Sequence, residues 1–298
     1  MSTDQAVVIW GEILWDRFPD GDRLGGAPAN VAWHLGQAGG WAQLVSRVGD
    51  DRDGRKAIEV LSQVCDAELV QIDRERATGE VLVAIEGGEP RYTLVPGRAW
   101  ERIECTTDVA TALGDASIFV YGTLAQHTDE GIAGWRDAIA AAKKCLKVCD
   151  VNLRRTTTQT SEERRAVDEA IAAADIVKVN DKELARIAEW FGWQDPVAQL
   201  RAGRRVVAIT HGQDGSTLYG DSGVVAEVAG VPAIAGGDNV GCGDAYVAIL
   251  VHGMTLGWDL LTCGSAASRW AAAVASERGA TPLFRDERID ELLGESVS

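Results

Sequence analysis

No stretch of this chain approaches the apolar length needed to cross a bilayer. Met1-Ser2-Thr3-Asp4 is not a basic segment leading into an apolar one, so neither secretion nor membrane insertion is expected. Basic residues are scarce, 29 against 45 acidic ones, and the net charge of −16 offers no footprint for nucleic-acid phosphates or an anionic membrane. A local nest of backbone amides can still hold a nucleotide on an acidic protein. The six cysteines, at 65, 105, 145, 149, 242 and 263, lack metal-ligand spacing and read as reduced thiols of a cytoplasmic protein. Two nucleotide signatures are missing: there is no Gly-x-x-x-x-Gly-Lys-Ser/Thr, and the first apolar strand is not followed by Gly-x-Gly-x-x-Gly. P-loop and dinucleotide-oxidoreductase chemistry are thereby set aside. Internal repeats, low-complexity blocks and Pro/Ser linkers are also absent, which leaves 298 residues, 46% of them hydrophobic, for one α/β domain with a sizeable core.

What is present centres on Gly236-Gly237-Asp238-Asn239-Val240-Gly241-Cys242-Gly243-Asp244-Ala245-Tyr246. Directly after it, apolar residues fall at Val247, Leu250, Val251 and Met254, the stripe of a buried helix. A glycine loop therefore feeds a helix N-terminus. Glycines at 241 and 243 let the backbone curl until several N–H groups point into one concavity, where unpaired amides and the helix dipole favour an anion. Asp244 stands at its rim. An anion nest beside a carboxylate suits phosphoryl transfer: the nest holds charge on the moving group while the carboxylate accepts the proton of the attacking hydroxyl. Taken alone, the same residues also describe a glycine turn with a dipole-friendly Asp.

In chain order, Ala6-Val7-Val8-Ile9-Trp10 reads as a buried first strand, followed by Glu12, Asp16 and the turn Pro19-Asp20-Gly21-Asp22. Gly25-Gly26-Ala27-Pro28-Ala29-Asn30 then opens a helix with an apolar face at Val31, Leu35 and Ala38. Carboxylate, glycine pair and amide lie past the C-terminal end of a strand, where α/β proteins bind ligands, and they offer what a polyol needs. Asp50, Asp51 and Asp53 read as a solvated helix cap. Val81, Val83 and Ile85, then Tyr92, Leu94 and Pro96, alternate around Gly87-Gly88-Glu89-Pro90 as a hairpin. Beyond it strands and helices alternate as in a parallel sheet: strand 117–122, helix 129–144, strand 146–150, helix 162–174, strand 176–179, strand 206–210, strand 216–219 and a long helix over about 259–276.

Taken with these segments, Asp238-Asn239-Val240-Gly241-Cys242-Gly243-Asp244 resembles the Asp-Thr-x-Gly-Ala-Gly-Asp signature of the ribokinase-like (phosphofructokinase B type) sugar kinases. Gly11-Glu12-Ile13-Leu14-Trp15-Asp16 with Gly25-Gly26-Ala27-Pro28-Ala29-Asn30 is similar to the sugar-binding half of the fructokinase-like branch. Asp150-Val151-Asn152-Leu153-Arg154 resembles its Asp-x-Asn-x-Arg motif, Asn180-Asp181-Lys182-Glu183 its Asn-x-x-Glu, and Thr210-His211-Gly212-Gln213-Asp214-Gly215 its nucleotide loop. The resemblance spans nearly the whole chain in order. It implies a doubly wound, mostly parallel α/β sheet flanked by helices, with a small β lid from segments near 12–24 and 78–100.

It also implies roles. Asp244 becomes the general base and Gly241, Cys242 and Gly243 the anion hole. Asp16, Gly25, Gly26, Asn30, Arg98, Asn152 and Arg154 become substrate residues, with Arg98 and Trp100 facing the pocket. ATP would meet Asn180, Thr210, Gly212, Gly215, Gly241 and Gly243, with Mg2+ organised through water by Asn180 and Glu183; capping with an exposed Glu183 is the competing account. Asp238 is a candidate ligand for a monovalent cation, while Asn239 and Val240 replace the usual threonines and leave K+ dependence open. The expected reaction is transfer of the γ-phosphoryl group of ATP to an unphosphorylated sugar, fructose first, with 2-keto-3-deoxygluconate and nucleosides as alternatives. A phosphosugar would want basic residues, and Arg17, Arg23, Arg91 and Arg98 are the candidates. A homodimer meeting through the lid is the expected assembly. A catalytically silent sugar-binding relative is the reading of another class, and retention of Asp244 and both glycines counts against it. Cys242, where Ala is usual, reads first as a small core-facing, inert thiol; the alternative is a thiol reachable in the empty enzyme, alkylated there and protected by ATP with magnesium.

Overall fold

The computed structural model describes residues 6–86, 89–153, 160–220, 225–234 and 236–294. Its strands are β1 (Val7–Trp10), β2 (Leu14–Phe18), β3 (Gly21–Gly25), β4 (Ala42–Gly49), β5 (Val70–Asp73), β6 (Gly79–Glu86), β7 (Glu89–Leu94), β8 (Ile118–Tyr121), β9 (Leu146–Asp150), β10 (Ile176–Asn180), β11 (Val206–Thr210), β12 (Gly215–Gly220) and β13 (Val225–Ala229). The helices used below are α1 (Ala27–Gln37), α2 (Arg52–Leu61), α4 (Asp129–Ala141), α5 (Ser161–Ala173), α6 (Asp181–Phe191), α8 (Cys242–Thr255) and α9 (Leu260–Ala275), with α3 (Thr107–Asp115), α7 (Pro196–Arg201) and α10 (Asp286–Leu293) completing the set.

Two sheets result among the described residues. The large one has the order β13-β12-β11-β10-β9-β8-β1-β4-β5, parallel except where β12 pairs with β11 and β13. Strands buried on both faces must be apolar throughout, which is why β1 and β8 read as continuous apolar runs. Because β1 lies between β4 and β8, the chain leaves it in the crevice where strand order reverses. The C-terminal ends of β1, β9, β10 and β11 line one edge of this sheet, and the sequence motifs follow each of them.

The smaller sheet has the order β3-β2-β6-β7. The hairpin read at residues 81–96 is the antiparallel pair β6–β7, and β6 runs parallel to β2. Leu14, Val81 and Val83 form its own apolar cluster. Asp51 anchors its root: the side chain caps α2 through Gly54 N at 2.8 Å and also accepts from Thr78 N and Thr78 Oγ1 at 2.8 and 2.7 Å. The expected solvated cap therefore also joins the two sheets.

Helix α1 departs from its expected single apolar face: Ala27 through Leu35 are all buried. It lies against α8 on one side and β1 and β4 on the other, so no face is left for solvent. Among the described residues, no helix is long and apolar enough to cross a membrane.

Candidate active site

The N-termini of α1 and α8 converge. Each begins with a glycine, and neither cap is filled by its own side chain, whereas Asp, Thr or Asn side chains cap α2, α4, α5, α6 and α9. Gly26 has φ +104°, and any Cβ there would run into the Glu12 carbonyl. Gly241 has φ +78°, and a Cβ would stand 2.6 Å from Ala280 Cβ. Both positions thus need glycine for conformation and space. Gly243 differs from expectation, since its φ is not left-handed. A Cβ there would come 2.9 Å from Lys178 Nζ, so the residue is small to make room for an ammonium.

Asp244 lies in the first turn of α8 and is buried. Asn30 Nδ2 donates to its Oδ2 at 2.8 Å, while Asn30 Oδ1 is buried with no hydrogen-bond partner among the described residues. A carboxylate able to accept a proton thus stands beside an acceptor suited to a ligand hydroxyl. Asp16, on β2 of the small sheet, stands over the glycine pair that precedes α1: a Cβ at Gly25 would lie 2.5 Å from its Oδ2. Glu12 braces the loop by accepting from Ala27 N at 3.2 Å.

Beneath the anion loop sits Lys178, which the sequence reading missed. It is only 4% exposed in the middle of β10, with Nζ 3.0 Å from Asp150 Oδ1 on the neighbouring strand. Burial acts to lower its pKa, but Asp150, Glu183 and Asp244 outweigh that and hold the ammonium protonated well above the ordinary lysine range. The signal was available, since a lysine inside an apolar run of a central strand must be paired. Glu183 is buried rather than exposed. It forms a capping box with Asn180, its Oε2 accepting from Asn180 N at 2.9 Å and its Oε1 from Leu153 N at 3.0 Å. Burial pushes its carboxyl up, against the pull of Lys178.

On the other side of Gly243 a cleft of about 760 Å3 opens between the 212–215 turn, the 230–233 loop and α9. Thr210, Gly212 and Gly215 line one wall, Ala272 and Ala275 the other, and Cys242 and Gly243 close one end. Burial first, and then Asp244 and Asp238, push the Cys242 thiol up to about 12. The helix N-terminus does not activate it.

Asp238 is a loop tie, accepting from Val240 N at 3.0 Å and Gly279 N at 3.1 Å. Arg98 points its charge at Glu80, as Arg17 does, and Trp100 is buried beneath Gly79 rather than facing an open pocket. Asn152 has φ +38°, an uncommon conformation for a residue with a side chain, two positions past Asp150. Arg154 lies outside the described residues.

A buried carboxylate thus stands at the start of a helix that has no capping side chain, hydrogen-bonded to Asn30 and close to a cleft of about 760 Å3 that Gly243 borders. The chain belongs to the pfkB family of carbohydrate kinases, whose model matches residues 21–286. A Pyrococcus horikoshii protein named as a sugar kinase is 30% identical over 281 residues, covering 90% of this chain and 85% of its own. Its crystal structure in complex with ATP superposes with a TM-score of 0.83 at 27% identity, covering 97% of this chain and 99% of that one. A fructokinase of Klebsiella pneumoniae is 30% identical over 268 residues, covering 83% of this chain and 84% of its own. The fold is shared with a Xylella fastidiosa fructokinase crystallised with ATP, at a TM-score of 0.86, 19% identity and 98% coverage of both chains. The doubly wound α/β architecture and the carbohydrate-kinase assignment expected from the sequence therefore hold.

Proposed function

We propose that this sugar kinase transfers the γ-phosphoryl group of ATP to a hydroxyl of an unphosphorylated ketohexose, fructose before others, with Asp244 as general base. The observation that carries the reading is the buried Asp244 carboxylate held by Asn30 at the uncapped start of α8. Asp16, the Gly25–Gly26 backbone and Asn30 bind the sugar and aim one hydroxyl at Asp244. The hydroxyl oxygen forms a bond to the γ-phosphorus as the bond to the bridging oxygen breaks. The electron pair leaves with ADP, and the hydroxyl proton passes to Asp244. The amides of Gly241, Cys242 and Gly243, with the Lys178 ammonium below them, face the charge on the moving group. The alanine wall of α9 suits a flat base, with Thr210, Gly212 and Gly215 opposite. Asn152 borders the substrate at the end of β9.

Magnesium would be supplied with the nucleotide, to neutralise phosphate charge. Asn180 and Glu183 fit it through water rather than directly, since the Glu183 oxygens and Asn180 Oδ1 already accept backbone N–H groups. Asp238 closes the loop by accepting from two amides, and its remaining lone pairs are the ones that would hold a monovalent cation there, K+ as the resemblance implies.

The arginines support a neutral acceptor. Arg17 pairs with Asp22, Asp53 and Glu80, Arg98 with Glu80, and Arg23 with Asp20. A phosphosugar or the carboxylate of 2-keto-3-deoxygluconate would have to displace those partners. We place the enzyme in the cytoplasm as a homodimer meeting through the small sheet, which exposes Leu82 and Tyr92. A coupled ATP-turnover assay over fructose, other hexoses, 2-keto-3-deoxygluconate, nucleosides and fructose phosphates tests the reading. The highest kcat/KM is expected on fructose, and a higher value on a nucleoside or a phosphosugar would overturn it.

A further inference from the structure

His34 is fully buried and stands one helical turn beyond Asn30 on α1, so the two share a face. Trp270 Nε1, which can only donate, lies 3.2 Å from His34 Nδ1. That fixes the tautomer: Nδ1 accepts, and Nε2 carries the proton and donates to the Ala280 carbonyl at 2.8 Å. One imidazole thus ties together α1, which carries Asn30; α9, whose Ala272 and Ala275 wall the nucleotide cleft; and the loop at Ala280. Ala280 is the residue against which Gly241, the cap of α8, is seated. The same loop is tied to the anion loop through Gly279 N and Asp238.

Resting on the kinase reading above, we propose that His34 is a positioning residue for phosphoryl transfer. Through Ala280 it fixes Gly241 and the first-turn amides of α8, while Asn30, four residues earlier, fixes Asp244. Base and anion hole are then held in register by one face of one helix. Such register matters because amides aimed at developing charge act only where their geometry is kept, and a displacement of about 1 Å can cost about a hundredfold in rate. Sugar binding uses Asp16, the Gly25–Gly26 backbone and Asn30, none of which touches the Ala280 tie, so the effect belongs in kcat.

The test is steady-state kinetics on folded enzyme of His34→Leu, His34→Gln and Trp270→Phe, with thermal unfolding measured on each. His34→Leu, which removes both hydrogen bonds, is expected to lower kcat at least tenfold with sugar KM within threefold of wild type. His34→Gln, which can both accept and donate, is expected to regain most of that loss. Trp270→Phe, which keeps a ring and removes only the donor, is expected to fall between them. If His34→Leu does not fold, the other two variants carry the test. A wild-type kcat in variants that are merely less heat-stable would overturn the proposal, as would a loss confined to KM. Failure of the fructose assignment would appear instead as a different preferred sugar in the wild-type enzyme, and would leave this comparison intact.

Discussion

Asn30 and Asp244, 214 residues apart in the chain, meet at 2.8 Å. The amide donates to one carboxylate oxygen, Oδ2, and so orients the group; the other oxygen is the one we assign to the reacting proton. The same amide keeps its own oxygen as an acceptor, and in the function we propose this one side chain joins sugar recognition to proton transfer. Five positions in and around this pair, Asp16, Gly25, His34, Cys242 and Asp244 itself, each carry a measurable consequence.

Asp16 is the first. Replacing it with Ala removes a charged hydrogen-bond acceptor, worth about 1.5–3 kcal/mol, so KM for sugar should rise roughly 10- to 150-fold while KM for ATP stays within threefold. Gly25→Ala should do the same by a different route, because its Cβ would stand 2.5 Å from Asp16 Oδ2 and push the carboxylate aside. Equal rises for both substrates in both variants would indicate damage to the fold instead.

His34 gives a pH dependence. Burial pushes its pKa down to about 4, from an unfolded value of 6.5. A depressed folded pKa contributes stability that is complete above 6.5 and lost as pH falls toward 4, roughly 3 kcal/mol in all. His127, also lowered to about 4, and His252, lowered by burial, act with the same sign. Urea unfolding of wild type at pH 7.5, 6 and 5 should show a falling midpoint, and His34→Gln should remove part of that fall. An unchanged pH slope in the variant would show that His34 is not held neutral.

Cys242 should be slow to react. With its thiol pushed up to about 12, iodoacetamide at pH 7.5 should label it far more slowly than free cysteine, and the rate should rise about tenfold per pH unit up to pH 10. Because Cys242 lines the cleft, ATP should slow the labelling, and Cys242→Ala should stay active and resist inactivation. Mass spectrometry of the modified peptide provides the measurement. Rapid labelling at pH 7 would show an activated thiol and contradict the burial argument.

Much of this architecture can be read along the chain, because strands β1, β8, β9, β10 and β11 are each a short apolar run ending at a polar motif. Strand β4 is harder to see: Gln43, Ser46 and Arg47 interrupt it, and Ser46 is buried all the same. Asp244 and Asn30 are legible because glycines shortly before them mark turns at helix starts, whereas Asp16, inside strand β2, is legible only through the resemblance of the stretch from Gly11 to Asp16. Lys178 and His34 are not, because what gives each its place lies far away in sequence: Asp150 and Gly243 for the lysine, Trp270 and Ala280 for the histidine. Arg98 shows the converse. Its position at the end of a hairpin suggests a pocket, but only the three-dimensional pairing with Glu80 shows where its charge is used.

Asp244→Asn tests the central claim most directly. The substitution is nearly isosteric and keeps the Asn30 contact possible, but an amide cannot take the proton of the attacking hydroxyl. Calorimetric affinities for ATP and for sugar should stay within a few-fold of wild type, while kcat falls by about 10^2- to 10^4-fold or more. A kcat within a few-fold of wild type, with both ligands still bound, would remove Asp244 from the role of base.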